Sequence, residues 1–287
     1  MSTAASFPRT ATGLPWQLWM TQLRAIMRIE VKKALWMKRS VWIYFIALGP
    51  AAIIGLHALN SPLGRYCTIG EDTNILADIF QVFYLRLGIF FGCMGLFTWL
   101  FRGDVVEKSL HYYLLAPVRR EVLVIGKFLA GLVGSSIIFG GSVLLSFVFM
   151  YGHFGAAGRD FVFHGPGLGH LLSYLGVTLL ACLGYGAVFL AFSLVVKNPI
   201  LPAIVVLLWE AFHPVLPSLL QKFSVTFYLK QLCPVSVNPT GLMALFAVVT
   251  EPVAAWIAIS GLICLSTAVL FFACWRLRHT EISYLAD

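Results

Sequence analysis

The chain has 287 residues and a mass of 31.7 kDa; 60% of it is hydrophobic, only 11% is charged, and the mean hydropathy is +0.88. Soluble domains carry about 45–50% apolar and about 25% charged residues, so this composition excludes a soluble enzyme, a disordered tail and a coiled coil, and makes lipid the solvent to reason with. The net charge of +8 reads as topology and not as nucleic-acid binding, because Lys and Arg collect on the cytoplasmic side of membrane proteins and favour anionic headgroups.

The first element is a helix over Trp16–Arg39. Trp16, Met20, Leu23, Met27, Val31 and Ala34 fall on one face at 3.6-residue spacing, and Gln17, Thr21, Arg24, Arg28 and Lys32 on another. That pattern predicts an amphipathic helix lying along the inner membrane surface. No signal-peptide core or cleavage site precedes it, so the N-terminus is expected to be retained. Six apolar stretches then predict an all-α membrane protein with six spans: Val41–Leu59, Phe80–Phe101, Val122–Met150, Leu168–Val196, Ile200–Leu219 and Pro252–Trp275. The fifth is interrupted by Pro202, Pro214 and Pro217. With both termini inside, fifteen Lys and Arg lie inside and four outside, which predicts an N-in, C-in topology. The chain thus divides into a cytoplasmic segment 1–40, a six-helix membrane domain 41–276 and a cytoplasmic tail 277–287.

The loop after the second span carries the most information. Asp104 followed by Glu107 resembles a capping box opening a short helix, and Pro117 marks its end. Such a helix, joined to two spans, could dock on a cytosolic partner; a plain connecting loop is the alternative. Glu107, Ser109, Leu110, Leu114, Pro117, Val118, Arg119 or Arg120, and Gly126-Lys127 then resemble a motif of the type-2 permease subunits of ABC exporters. Members commonly show an acidic residue, Gly-Thr-Leu, apolar positions, Pro-Val/Ile-Ser-Arg, and Gly-Lys opening the third span. Here Lys108 stands where Gly is usual and Ser109 replaces Thr.

The resemblance implies an elbow helix, six spans, a coupling helix after the second and a broken or re-entrant outer segment between the fifth and sixth. Coupling to a cytosolic ABC ATPase subunit would then involve Asp104, Glu107, Lys108, Ser109, Leu110, His111, Leu114, Pro117, Arg119 and Arg120. It also implies a second permease copy or homologous permease, and transport rather than catalysis by this chain, most simply in a bacterial inner membrane. ATP and Mg would belong to the partner. Gly126-Lys127 has Glu121 five residues earlier and Phe128 after it, so it is not a phosphate-cradling G-x-x-x-x-G-K-[ST] loop, and no cofactor is expected on this chain.

Other residues leave alternatives open. Arg86 and Glu210 lie inside predicted spans, where a charge is a functional candidate by default. Their similar depth allows an ion pair or a shared polar cavity; equally, Arg86 could snorkel while Glu210 caps broken backbone near Pro214. His213 neighbours Glu210, but no nucleophile or second acid joins them, so an intramembrane enzyme lacks a catalytic set; a membrane scaffold or assembly subunit stays open. Asn238-Pro239 reads as a helix start and Leu242–Val249 as a short outer helix. Gly131, Ser135, Ser136 and Gly140 in the third span, with Gly184, Ala187 and Ala191 in the fourth, read as packing seams. His164 and His170, on or beside an outer loop, make a weak metal site without a third ligand. No Cys/His zinc spacing appears among the six Cys. Cys67 and Cys233 fall in outer segments, where a bridge would be permitted but is not required.

Overall fold

The computed structural model describes residues 16–36, 40–60, 68–115, 118–196, 198, 200–212, 217–235, 237 and 253–279. Every element among them is helical. In chain order they are α1 (Trp16–Trp36), α2 (Ser40–Asn60), α3 (Ile69–Asp78), a π-helical segment (Ile79–Gly88), α4 (Ile89–Val106), α5 (Leu110–Leu115), α6 (Arg120–Gly152), α7 (Ala156–Phe163), α8 (Gly167–Val195), α9 (Ile200–Phe212), α10 (Ser218–Gln221), α11 (Val225–Gln231) and α12 (Ala255–Arg278). Five helical runs among the described residues are long and apolar enough to cross a membrane: α2, the continuous 38-residue run from α3 through α4, α6, α8 and α12.

The second of these starts at Ile69 and not near Phe80. A capping box begins it: the Glu71 amide donates to Thr68 Oγ1 and the Thr68 amide to Glu71 Oε2, both at 3.2 Å. These bonds satisfy backbone donors that the first turn leaves orphaned. Of the predicted fifth span, the structure describes α9, 13 residues to Phe212, about 20 Å of helix. The short helices α10 and α11 follow from Pro217, where proline serves as the N-cap of α10. The predicted Asn238-Pro239 start and the helix over 242–249 lie outside the described residues.

α4, α6 and α8 form the centre. Their spans are 56–61% buried, against 28% for α2 and 22% for α12. Small residues set how closely the central helices approach. Phe97 is fully buried, and its ring lies where a Cβ on Gly131 of α6 (2.6 Å) or on Gly186 of α8 (2.5 Å) would stand. The ring therefore occupies a slot that only glycine leaves on both neighbours. Phe90 of α4 packs edge-on against Tyr185 and Phe189 of α8, with centroids 5.3 and 5.0 Å apart, a favoured aromatic arrangement.

α1 packs along α6. Its polar positions Gln17, Thr21, Arg24, Arg28 and Lys32 are exposed, as their spacing predicts. Its buried line is Ile26, Glu30 and Ala34, offset from the predicted apolar face; Trp16 and Met20 of that face are exposed. The offset follows from Gly126 of α6, whose missing Cβ admits the Ile26 side chain to 2.9 Å of that position.

Candidate functional site

Three buried charges meet where α1, α4 and α6 converge. Lys127, two turns into α6 and fully buried, donates from Nζ to Glu30 Oε1 at 2.7 Å, to Asp104 Oδ2 at 2.6 Å and to the Leu100 carbonyl at 2.6 Å. An ammonium has three protons, and each has an acceptor. Glu30 and Asp104 are themselves only 2% and 4% exposed. Lys33, on the rim, stands 3.5 Å from Asp104 Oδ1 and 3.8 Å from Glu30 Oε1. Two cations thus face two carboxylates and the cluster is neutral. A buried charge without such partners would be very costly.

The loop is fastened to this hub. Tyr113 of α5 donates its hydroxyl to Glu30 Oε1 at 3.1 Å, and its ring centroid lies 5.0 Å from the Lys127 ammonium. Burial, together with the Glu30 and Asp104 carboxylates, pushes the Tyr113 phenol above its ordinary pKa. Ser109 Oγ donates to Asp104 Oδ1 at 3.3 Å. α4, α5, α6 and α1 therefore share one polar centre.

Asp104 does not open the loop helix, as its spacing with Glu107 suggested. It lies in the last turn of α4, which continues to Val106. The helix stops through its backbone. The Ser109 amide donates to the Asp104 carbonyl at 2.8 Å and the Lys108 amide to Val105 at 3.1 Å, the bond pair of a Schellman ending. Lys108 occupies the left-handed position, φ 54°, where that ending favours glycine. This gives a backbone reason for the glycine usual at that place in the resembled motif. The loop helix proper is the six-residue α5.

The remaining loop residues separate into two groups. Glu107, Lys108, Tyr112 and Leu115 are exposed. Arg119 and Arg120 are engaged within the chain: Arg119 lies over the Trp19 ring at 4.5 Å, and Arg120 donates to the Leu277 and Arg278 carbonyls at 2.9 and 2.8 Å. Arg120 thereby satisfies the C-terminal carbonyls of α12, and Arg278 pairs with Glu121. Leu110, His111 and Leu114 belong to α5; Pro117 lies outside the described residues.

Arg86 falls in the π-helical segment, and among the described residues it forms no ion pair with Glu210. Glu210, 4% exposed, instead accepts from Ser224 Oγ (2.5 Å) and from the amides of Val225 (2.9 Å) and Thr226 (3.1 Å). It holds the N-terminus of α11, where the helix dipole favours a negative group. His213 and Cys67 lie outside the described residues. Cys233 is a free thiol that donates to the Leu229 carbonyl at 3.5 Å. His164 is paired with Asp160 on the surface, apart from His170 on α8.

A second polar cluster was not visible in the sequence. Asp72, 1% exposed, lies 3.4 Å from His57 Nε2 and 3.5 Å from His153 Nε2. It joins α3 to the ends of α2 and α6. Among the described residues no group of His, Cys, Asp or Glu is placed to hold a metal ion. Glu30 was also missed, although Ile26, Glu30 and Ala34 recur every fourth residue and so share a helix face. A scan of protein-family models matches none to this chain, and a search of the curated proteins finds no match.

Proposed function

We propose that the chain is the permease subunit of an ATP-binding-cassette transporter, an exporter, paired with a second permease copy and driven by separate cytosolic ATPase subunits. The observation that carries this reading is the loop between the second and third spans. Its outer surface presents Glu107, Lys108, Tyr112 and Leu115, and its inner side is bound to α1, α4 and α6 through Lys127, Glu30, Asp104 and Tyr113. A partner that displaces α5 acts on three helices at once. In this reading α1 is the elbow helix, both termini are cytoplasmic, α9 lies in the fifth span, α10 and α11 belong to the broken outer segment between the fifth and sixth spans, and the apolar outer faces of α2 and α12 meet lipid or the second copy. The membrane is most simply a bacterial inner membrane.

Purification of the tagged chain from its native membrane tests the reading. A nucleotide-binding ATPase should co-purify, and a cysteine introduced by Lys108→Cys should cross-link to it. Labelling of that cysteine only from the side opposite the N-terminus, or the absence of any ATPase under conditions that keep complexes intact, refutes it.

A further inference from the structure

An apolar groove and a basic depression lie beside the hub and share one wall residue, Lys33. The groove, about 470 Å3, runs between α1, α2 and α4, with Trp42, Ile43, Phe91, Met94 and Trp99 among its walls, and it ends at Lys33, Asp104 and Glu107. The depression, about 410 Å3, is lined by Arg28, Ile29, Lys32, Lys33 and Trp36 alone. Lys33 stands in the wall of both. Three cations and no carboxylate line the depression, and among the described residues Arg28 and Lys32 have no ion-pair partner. Trp36 in the wall of the depression and Trp42 in that of the groove are 82% and 72% exposed, as aromatic residues are at a membrane–water boundary.

We propose that the groove and the depression, adjacent at Lys33, together seat one anionic phospholipid, its phosphate at Arg28, Lys32 and Lys33 and one acyl chain in the groove between α2 and α4. Charge complementarity in the depression selects this occupant: its lining holds Arg28, Lys32 and Lys33 and no carboxylate, whereas of the carboxylates lining the groove, Glu30, Asp104 and Glu107, the first two are paired with Lys127. A soluble anion leaves the apolar groove unexplained. The inference requires only a membrane-embedded chain, not the permease reading. It adds a link to the hub, because Lys33 also reaches Asp104 and Glu30 at 3.5 and 3.8 Å. These contacts are longer than those of Lys127 at 2.6–2.7 Å. Lys33 can therefore turn to a phosphate while Lys127 keeps both carboxylates paired.

Native mass spectrometry of the purified full chain, titrated with phosphatidylglycerol and phosphatidylcholine of identical acyl chains, tests the proposal. Wild-type protein should retain one phosphatidylglycerol in preference to phosphatidylcholine. Arg28→Gln with Lys32→Gln removes two exposed cations; at about fivefold per residue, phosphatidylglycerol affinity should fall about 30-fold with phosphatidylcholine unchanged. Gly95→Leu fills the groove, since a Cβ there meets only Ile43 at 3.9 Å, and should expel the retained lipid while leaving the basic residues intact. Equal retention of the two lipids, an unchanged affinity in either variant, or displacement by soluble glycerophosphoglycerol at concentrations matching the lipid's own affinity would overturn it.

Discussion

Replacing Lys127 by Met tests the hub most directly. The change keeps most of the side-chain volume and deletes one ammonium. Glu30 and Asp104, 2% and 4% exposed, would then have only Lys33 on the rim, 35% exposed and 3.5–3.8 Å away, plus the Tyr113 and Ser109 hydroxyls. Removing one partner of a buried ion pair typically costs about 3–5 kcal/mol, because the remaining charge stays desolvated. The Leu100 carbonyl also loses its side-chain donor. At about 2–4 °C per kcal/mol for chains of this order of size, Lys127→Met should lower Tm by about 6–20 °C.

The mechanism makes a second claim that a generic core defect would not. Neutralising the acids together with the base removes the uncompensated charge. Glu30→Gln/Asp104→Asn/Lys127→Met should therefore be more stable than Lys127→Met alone, since replacing a whole buried ionic set is often near neutral. Thermal unfolding in detergent, followed by intrinsic fluorescence, measures both. A Tm for Lys127→Met within about 2 °C of wild type, or strictly additive losses among the three sites, would refute the assignment of Lys127 as the shared partner.

Lys108→Gly should stabilise the chain by about 0.5–1 kcal/mol in the same assay, because a left-handed backbone costs a non-glycine residue about 1–2 kcal/mol and glycine's greater unfolded-state entropy returns part of that. Gly186→Val should destabilise it by at least about 1–3 kcal/mol, as its side chain collides with the Phe97 ring and overpacks the centre; an unchanged Tm would show that Phe97 can move aside. Glu210→Gln replaces an acceptor-only carboxylate with a group that presents donors to the α11 amides, and should cost about 1–3 kcal/mol, measurable as faster amide exchange at 225–227. Burial pushes the Cys233 thiol to about 12 from 9.0, with Lys230 opposing. The unfolded thiol ionises first, so its stabilisation is complete below about pH 9 and is lost as pH rises toward 12; in a variant retaining only this cysteine, alkylation at pH 8 should be slow when folded and rapid in SDS.

The span positions were legible wherever a long apolar run decided them. The expected Val122–Met150 and Leu168–Val196 are observed as Arg120–Gly152 and Gly167–Val195, because length and hydropathy alone set where a helix can cross lipid. The Thr68-x-x-Glu71 box was also written in the sequence, and it marks the start of the 38-residue helical run that contains the expected second span. The π-helical segment was not: Ile79–Gly88 reads as an ordinary apolar run, and its extra residue per turn has no compositional mark. Asp104 misled for a different reason. Its spacing to Glu107 fits a helix start equally well; the backbone ending at Lys108 and Ser109 places it at a helix end, and its buried partner is a lysine 23 residues later.

That last point explains why the hub resisted a reading along the chain. Glu30 is one acid in a basic segment, Asp104 sits in a loop motif, and Lys127 belongs to a Gly-Lys pair at the start of a span. Each has a sufficient local explanation, and hydrophobic periodicity ranks none of them as buried. Their separations along the chain are 97 residues for Lys127–Glu30 and 23 for Lys127–Asp104, so only the packing of α1 and α4 on α6 brings the three together. The approach depends in turn on Gly126, the residue beside Lys127, which lets Ile26 enter one turn before Glu30. Gly126 and Lys127 thus act as a unit: the first admits α1, and the second holds the carboxylate that α1 carries. A larger residue at 126 would push Glu30 away from the Lys127 ammonium even though every charged residue of the hub remained in the sequence.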